Sequence, residues 1–177
     1  MAKRQKQKLK IKCYTFDERA ISEALKISVD AVKSEFKDGR VASRFSEHWG
    51  AKLYSYSKHA DTNAPGSDGA FDAGELGGID ISVKCLTGAG VKFQKSKYVG
   101  SGRSCTQDNL ISSLGESSKV IVVDILDFPN IKFIPDDCKA LLFCAKKKTL
   151  RPNGWKKKQL YEWLNEQYEV TEEVVKL

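Results

Sequence analysis

The chain has 177 residues, 41% of them hydrophobic and 30% charged, with 30 Lys+Arg against 23 Asp+Glu and a formal net charge of +7. That length suffices for one well-buried domain, and no apolar stretch approaches the roughly twenty residues needed to cross a bilayer, so a membrane-spanning segment is not expected. The cation excess suits a polyanionic partner, and five cysteines (Cys13, Cys85, Cys105, Cys138, Cys144), an odd count with no C-x-x-C spacing and no leader-like segment, predict a reduced, cytoplasmic protein without structural zinc.

Taken in order, residues 1–12 form a basic arm of lysines and one arginine without an acid, and residues 9–16 read as a short strand. Asp17 is placed to cap a helix running to about residue 26, and Ser28 to cap a second. Across residues 17–37 the apolar positions Ile21, Leu25, Ile27 and Val32 resemble the spacing of a DNA-binding helix-turn-helix, with Lys26 standing where such motifs often carry a turn glycine. That resemblance implies that the second helix offers Lys33 and its neighbours to DNA. The same periodicity fits an ordinary helical hairpin used for packing or dimerisation. A third helix is predicted over residues 41–54, where Val41, Phe45, Trp49 and Leu53 recur every four residues and leave Glu47 off the stripe.

Residues 66–86, GSDGAFDAGELGGIDISVKCL, run an acidic, turn-rich loop into a strand. In that strand Asp80, Ser82 and Lys84 alternate with Ile81, Val83 and Cys85, so the first three share one face and the apolar three enter the core. Asp68, Asp72 and Glu75 lie just upstream, and such carboxylates beside a lysine suit a divalent metal and a phosphate. The stretch resembles the active-site hairpin of the PD-(D/E)xK nucleases, the superfamily that contains many type II restriction endonucleases, in which an aspartate precedes a hairpin whose second strand carries (D/E)-x-K.

The resemblance implies Asp72 as the first acid, with nine residues between it and Ser82, and Lys84 as the lysine. Ser82 departs from the pattern, standing where an acid is usual, so a metal ligand must come from elsewhere; Asp80, Glu75 and Glu47 are the candidates. Glu47 resembles the glutamate that these nucleases often carry on the helix before the hairpin. The implied activity is Mg²⁺-dependent hydrolysis of double-stranded DNA. Its roles are Asp72, Asp80 and Glu75 on the metal, with Asp72, Ser82, Lys84 and Glu47 at the reaction. A homodimer is implied because one small site cuts one strand.

Downstream, residues 92–103 interleave Lys92, Lys95, Lys97 and Arg103 with two aromatics and a glycine-rich turn, a pattern suited to phosphate contact. A helix is expected from residue 106 to about 114, a buried strand over 119–126 from its Val-Ile-Val-Val run, a partner strand over 130–134, an element of either type over 136–145, and a helix over 155–167. A second basic region comprises Lys146, Lys147, Lys148, Arg151 and Lys156, Lys157, Lys158. The predicted fold is α/β (α+β), a central mixed sheet flanked by helices and restriction-endonuclease-like, in one domain over residues 1–177. The competing readings are a non-enzymatic helix-turn-helix DNA-binding protein and a junction-resolving or repair nuclease.

Overall fold

Alternating apolar residues on strands, and apolar stripes on helices, can be buried only if the helices cover the sheet. In the computed structural model, which describes residues 6–58, 69–70, 80–95, 98 and 105–176, they do so on both faces. The elements run β1 (Gln7–Thr15), α1 (Glu18–Leu25), α2 (Val29–Lys37), α3 (Gly39–Tyr54), β2 (Ser57–Lys58), β3 (Gly69–Ala70), β4 (Asp80–Leu86), α4 (Gln107–Glu116), β5 (Lys119–Asp124), β6 (Asn130–Asp137), α5 (Cys138–Lys146), α6 (Lys157–Gln167) and β7 (Tyr168–Val174). The strands form one mixed sheet in the order β2-β3-β4-β5-β6-β1-β7. β2, β3 and β4 are successively antiparallel, β4 and β5 are parallel across the α4 crossover, β6 is antiparallel to both β5 and β1, and β1 is parallel to β7. This is an α+β architecture with a mixed sheet between helices.

Strand alternation sorts the core into two layers. Leu9, Ile11, Val120, Val122 and Ile134 pack under α4, α5 and α6. Ile81, Val83, Ile121, Val123, Ile131 and Phe133 pack under α2 and α3. Side-chain capping fixes the helix starts: Asp17 accepts from the amides of Arg19 and Ala20, Ser28 from Ala31, and Thr106 from Asn109. The ambiguity over residues 136–145 resolves as a strand end followed by a helix, because Asp137 caps α5 through the Lys139 amide at 2.8 Å.

The third helix packs differently from its large-residue stripe. Ala42, Ser46 and Gly50, spaced by four, are the residues fully turned into the sheet, while Phe45 remains 45% exposed. Small side chains let α3 sit close: a Cβ on Gly50 would stand 2.8 Å from the Tyr56 hydroxyl and 3.7 Å from Ile121 Cδ1. The large residues Phe45 and Trp49 instead close sideways on Phe36, and Trp49 meets Phe16 at 4.4 Å between ring centroids. Phe133→Ala, at a fully buried site in that layer, is expected to cost about 3–5 kcal/mol in urea unfolding, while Phe143→Ala, at a side chain 63% exposed on α5, costs less than about 0.5 kcal/mol.

Candidate functional site

β4 is held between two different neighbours. Gly69 and Ala70 of β3 pair with Ile81 and Asp80 on one side, and on the other β5 runs parallel from Ile81↔Lys119 to Leu86↔Asp124. The Ser118 amide donates to the Asp80 carbonyl at 3.0 Å, which fixes where the strand begins. Ile81 and Val83 are buried against the α3 side, and Cys85 meets Ser46 of α3 at 3.5 Å, as the alternation requires. Asp80 is exposed at the strand start.

Ser82 and Lys84 share the opposite face, and that face is not open. It is covered by α4 and by residues 93–95, so that Lys84 is half-buried among Phe93, Lys95, Ser113, Ser117 and Cys138. The space left there is about 10 Å³, room for no more than a single water. Burial pushes the Cys138 thiol up to about 12; Asp137 and Asp136 add to this and the Lys84 ammonium opposes it. Among the described residues no carboxylate forms an ion pair with Lys84.

The other residues singled out in the sequence divide sharply. Asp72, Glu75, Lys97 and Arg103 lie outside the described residues. Glu47 does not join Lys84: α3 covers the face of β4 that carries Ile81, Val83 and Cys85, so strand alternation puts the whole sheet between this glutamate's helix and the lysine. One carboxylate escaped the sequence reading. Glu116, at the end of α4, pairs with Lys95, which lines the same small space as Ser82 and Lys84, and accepts from Ser112 at 3.0 Å. Its side chain is exposed and does not itself line that space, so only its pairing with Lys95 links it to Lys84, and that link is invisible until the crossover is placed. Among the described residues no three His, Cys, Asp or Glu side chains gather tightly enough to hold a metal ion. His48 is exposed.

The cations chosen for DNA contact are mostly engaged. Lys33 pairs with Glu18 of α1 at 3.1 Å, and Lys95 pairs with Glu116, while Lys92 is half-buried. Lys26 ends α1 in the left-handed conformation (φ 58°, ψ 36°) that favours glycine, an ending common to DNA-binding turns and to ordinary helical hairpins alike. The pair carries no cation excess, because Glu18, Glu23, Asp30 and Glu35 balance Arg19, Lys26, Lys33 and Lys37. The described lysines of the basic arm are likewise engaged. From Gln7 onward it is β1, whose parallel neighbour β7 brings Glu169 beside Lys8 and Glu173 into a 3.5 Å pair with Lys10. Lys12 donates to the Leu53 carbonyl at 2.5 Å and lies over the Tyr54 ring.

No family model, curated protein or solved structure matches the chain.

Two buried carboxylates on the α4–α6 side need partners of their own. Asp124 accepts from the Tyr161 hydroxyl at 2.9 Å and from the Leu126 amide, and pairs with Lys157 at 3.2 Å. Asp136 accepts from the Tyr168 hydroxyl and the Asp137 amide, each at 2.7 Å. Burial nevertheless raises the Asp136 carboxyl to about 6 from 3.8, those two hydrogen bonds pulling the other way. A folded-state pKa above the unfolded value means that the native protein holds a proton that the unfolded chain releases, so stability is full below about pH 4 and declines as pH rises toward 6. Urea midpoints followed from pH 4 to 7 are expected to show a loss on the order of 2 kcal/mol, and Asp136→Asn, which keeps an oxygen for Tyr168, should flatten it.

Proposed function

We propose that the chain is a Mg²⁺-dependent endonuclease that hydrolyses double-stranded DNA, of the type II restriction kind and acting as a homodimer. The observation that carries this reading is Lys84: a half-buried ammonium on the last strand of a β-hairpin, on a strand that an acid-rich stretch precedes in sequence, with no carboxylate paired to it among the described residues. A cation withdrawn from water without a counter-ion costs stability, and an anionic guest such as a scissile phosphate would repay that cost. The order helix, hairpin, lysine-bearing strand is the one the PD-(D/E)xK resemblance calls for, and α3, β3 and β4 supply it.

Magnesium, when bound, supplies a polarised water and neutralises charge on the phosphoryl oxygens. The oxygen donors fit a hard cation: Asp80 is exposed at the strand start, and Asp72 and Glu75 follow the paired Ala70 in sequence. Lys84 is the cation offered to the scissile phosphate and the attacking water, and the space beside it, about 10 Å³ with α4 in this position, has to widen to admit them. The acid missing at Ser82 is assigned to Glu116 in place of Glu47, because α4 lies over Ser82 and α3 does not. The second reading, a DNA-binding helix pair without catalysis, draws on the Lys26 backbone but meets the charge balance of α1 and α2.

Magnesium-dependent nicking of supercoiled plasmid tests the assignment. Asp72→Asn, Lys84→Ala and Glu116→Gln should each slow cutting by at least about a hundredfold, and Glu47→Gln should leave it nearly unchanged. Asp68→Asn, on the residue before Gly69, decides which of the two flanking aspartates is the ligand. Wild-type protein that binds duplex DNA yet never cuts it with magnesium sinks the nuclease in favour of the binding module. Cutting confined to branched substrates assigns a junction-resolving enzyme.

A further inference from the structure

Among the described residues several cations are met by acids, as Lys10, Lys33, Lys119 and Lys132 are, but one stretch of chain supplies no acid of its own. Between Asp137 and Glu162 the sequence contains no acid at all, while carrying Lys139, Lys146, Lys147, Lys148, Arg151 and the run Lys156–Lys158. Lys157 is spent on Asp124 and Asp127, Lys158 pairs at 3.8 Å with Glu162, and Lys156 donates to the Gly88 carbonyl at 3.1 Å. Among the described residues no carboxylate pairs with Lys146, Lys147, Lys148 or Arg151; Lys147 rests over the Phe143 ring at 5.7 Å.

These residues sit on a rigid frame. Leu150 is fully buried, and Gln107 donates to the carbonyls of Ala145 and Leu150 at 2.7 and 3.0 Å. Val91 and Trp155 exchange backbone hydrogen bonds of 2.8 and 3.1 Å. Gly154 permits that approach: its φ is 74°, and a Cβ there would stand 1.7 Å from the Val91 carbonyl oxygen. The α5–α6 connection thereby encloses an open cleft of about 410 Å³ lined by Lys148, Thr149, Arg151, Gly154, Trp155 and Gln159, cationic and hydrogen-bonding without a single carboxylate.

We infer that this cleft binds the phosphate backbone of nucleic acid. Arg151 presents a planar fork suited to a phosphodiester, Lys148 a point charge, and Gln159 a neutral amide donor beside them, while the Thr149 hydroxyl is spent on the Cys144 carbonyl. Pre-organised donors lose little entropy on binding, which is what the pinned backbone provides. An anionic membrane surface fits less well, because α5 turns its apolar residues Cys138, Leu141 and Ala145 into the core and leaves Phe143 as its one large exposed hydrophobic among the described residues. The cleft lies on the side of the sheet that carries Lys84, where α4, α5 and α6 pack, and Lys156 reaches the loop directly after β4. The choice of DNA over RNA as partner rests on the nuclease reading; the phosphate site itself does not.

The test is fluorescence anisotropy of a labelled DNA duplex with the full chain in EDTA, so that no cutting intervenes, over a salt series. Lys148→Gln/Arg151→Gln is expected to weaken binding at least about tenfold and to reduce the slope of log K against log salt by about 2. Lys8→Gln/Lys10→Gln removes the same charge from β1 and is expected to change affinity less than about twofold. Equal losses from the two pairs would reduce the effect to net charge and overturn the site. Poly-glutamate competing as well as DNA, or retention on phosphatidylserine vesicles that matches retention on DNA, would overturn the nucleic-acid assignment. Should the double variant melt early, Arg151→Gln alone must lower the slope by about 1, and an unchanged slope refutes the proposal. A chain that binds through this cleft but never cuts with magnesium keeps the site and loses the nuclease, and one that cuts while the cleft variants bind normally does the reverse.

Discussion

Strands β4, β5 and β6 lie between two helix layers, and that single constraint orders the rest of the molecule. Water cannot satisfy a polar side chain there, so each one must meet a protein partner or stay destabilising. Asp124 and Asp136 obey the rule. Each lies nearly out of solvent and each is met by a tyrosine hydroxyl, from Tyr161 of α6 and from Tyr168 at the start of β7. The C-terminal helix and strand therefore act as suppliers of hydrogen-bond donors to the central strands as much as of apolar cover. Lys84 breaks the rule among the described residues, which is why it, rather than any of the better-paired ionic groups, is the centre of the functional reading.

The same constraint explains how the site's membership changes between sequence and fold. On a strand, period-two alternation correctly separated Ser82 and Lys84 from Ile81, Val83 and Cys85. Alternation says which residues share a face but not which helix covers it. Glu47 looked apt because it precedes the hairpin in sequence, yet its helix took the Cys85 face by means of Ala42, Ser46 and Gly50. Glu116 looked ordinary because nothing in QDNLISSLGE marks one end as lying over Ser82. The parallel crossover from β4 through α4 to β5 decides it: a helix returning along two parallel strands must bring its C-terminal turn back to where they begin.

Much of the fold could be read directly from residues that perform local jobs. Asp17 and Ser28 cap the helices they were assigned, Thr106 caps the helix that was expected to begin with it, and the β-branched run of β5 is buried almost along its length. What escaped was structure created by pairing. Tyr168–Val174, rich in glutamate, has a weak strand signature, since its Glu residues are individually poor strand formers. Its place is set by β1, whose lysines alternate in register with those acids, so each strand supplies the electrostatic reason for the other. Composition alone could not foresee that the two halves of one pattern lie some 160 positions apart.

That pairing also separates two basic regions that looked equivalent as sequence. A lysine's value to a polyanion depends on what it must give up, and a cation already beside a glutamate trades one partner for another with little gain. Lys8, Lys10 and Lys12 are in that position: β7 lays acids beside two of them, and the third is tied to a carbonyl and an aromatic ring. Lys148 and Arg151 stand in a stretch of chain with no acid of its own, and the sheet's acids are turned toward other partners: Asp124 and Asp127 to Lys157, Asp137 to Lys119, and Glu172 to Lys132. Among the described residues, ion pairing offsets positive charge along the β1–β7 edge of the sheet and leaves Lys148 and Arg151 of the α5–α6 connection without acidic partners, on the side where α4 covers Lys84.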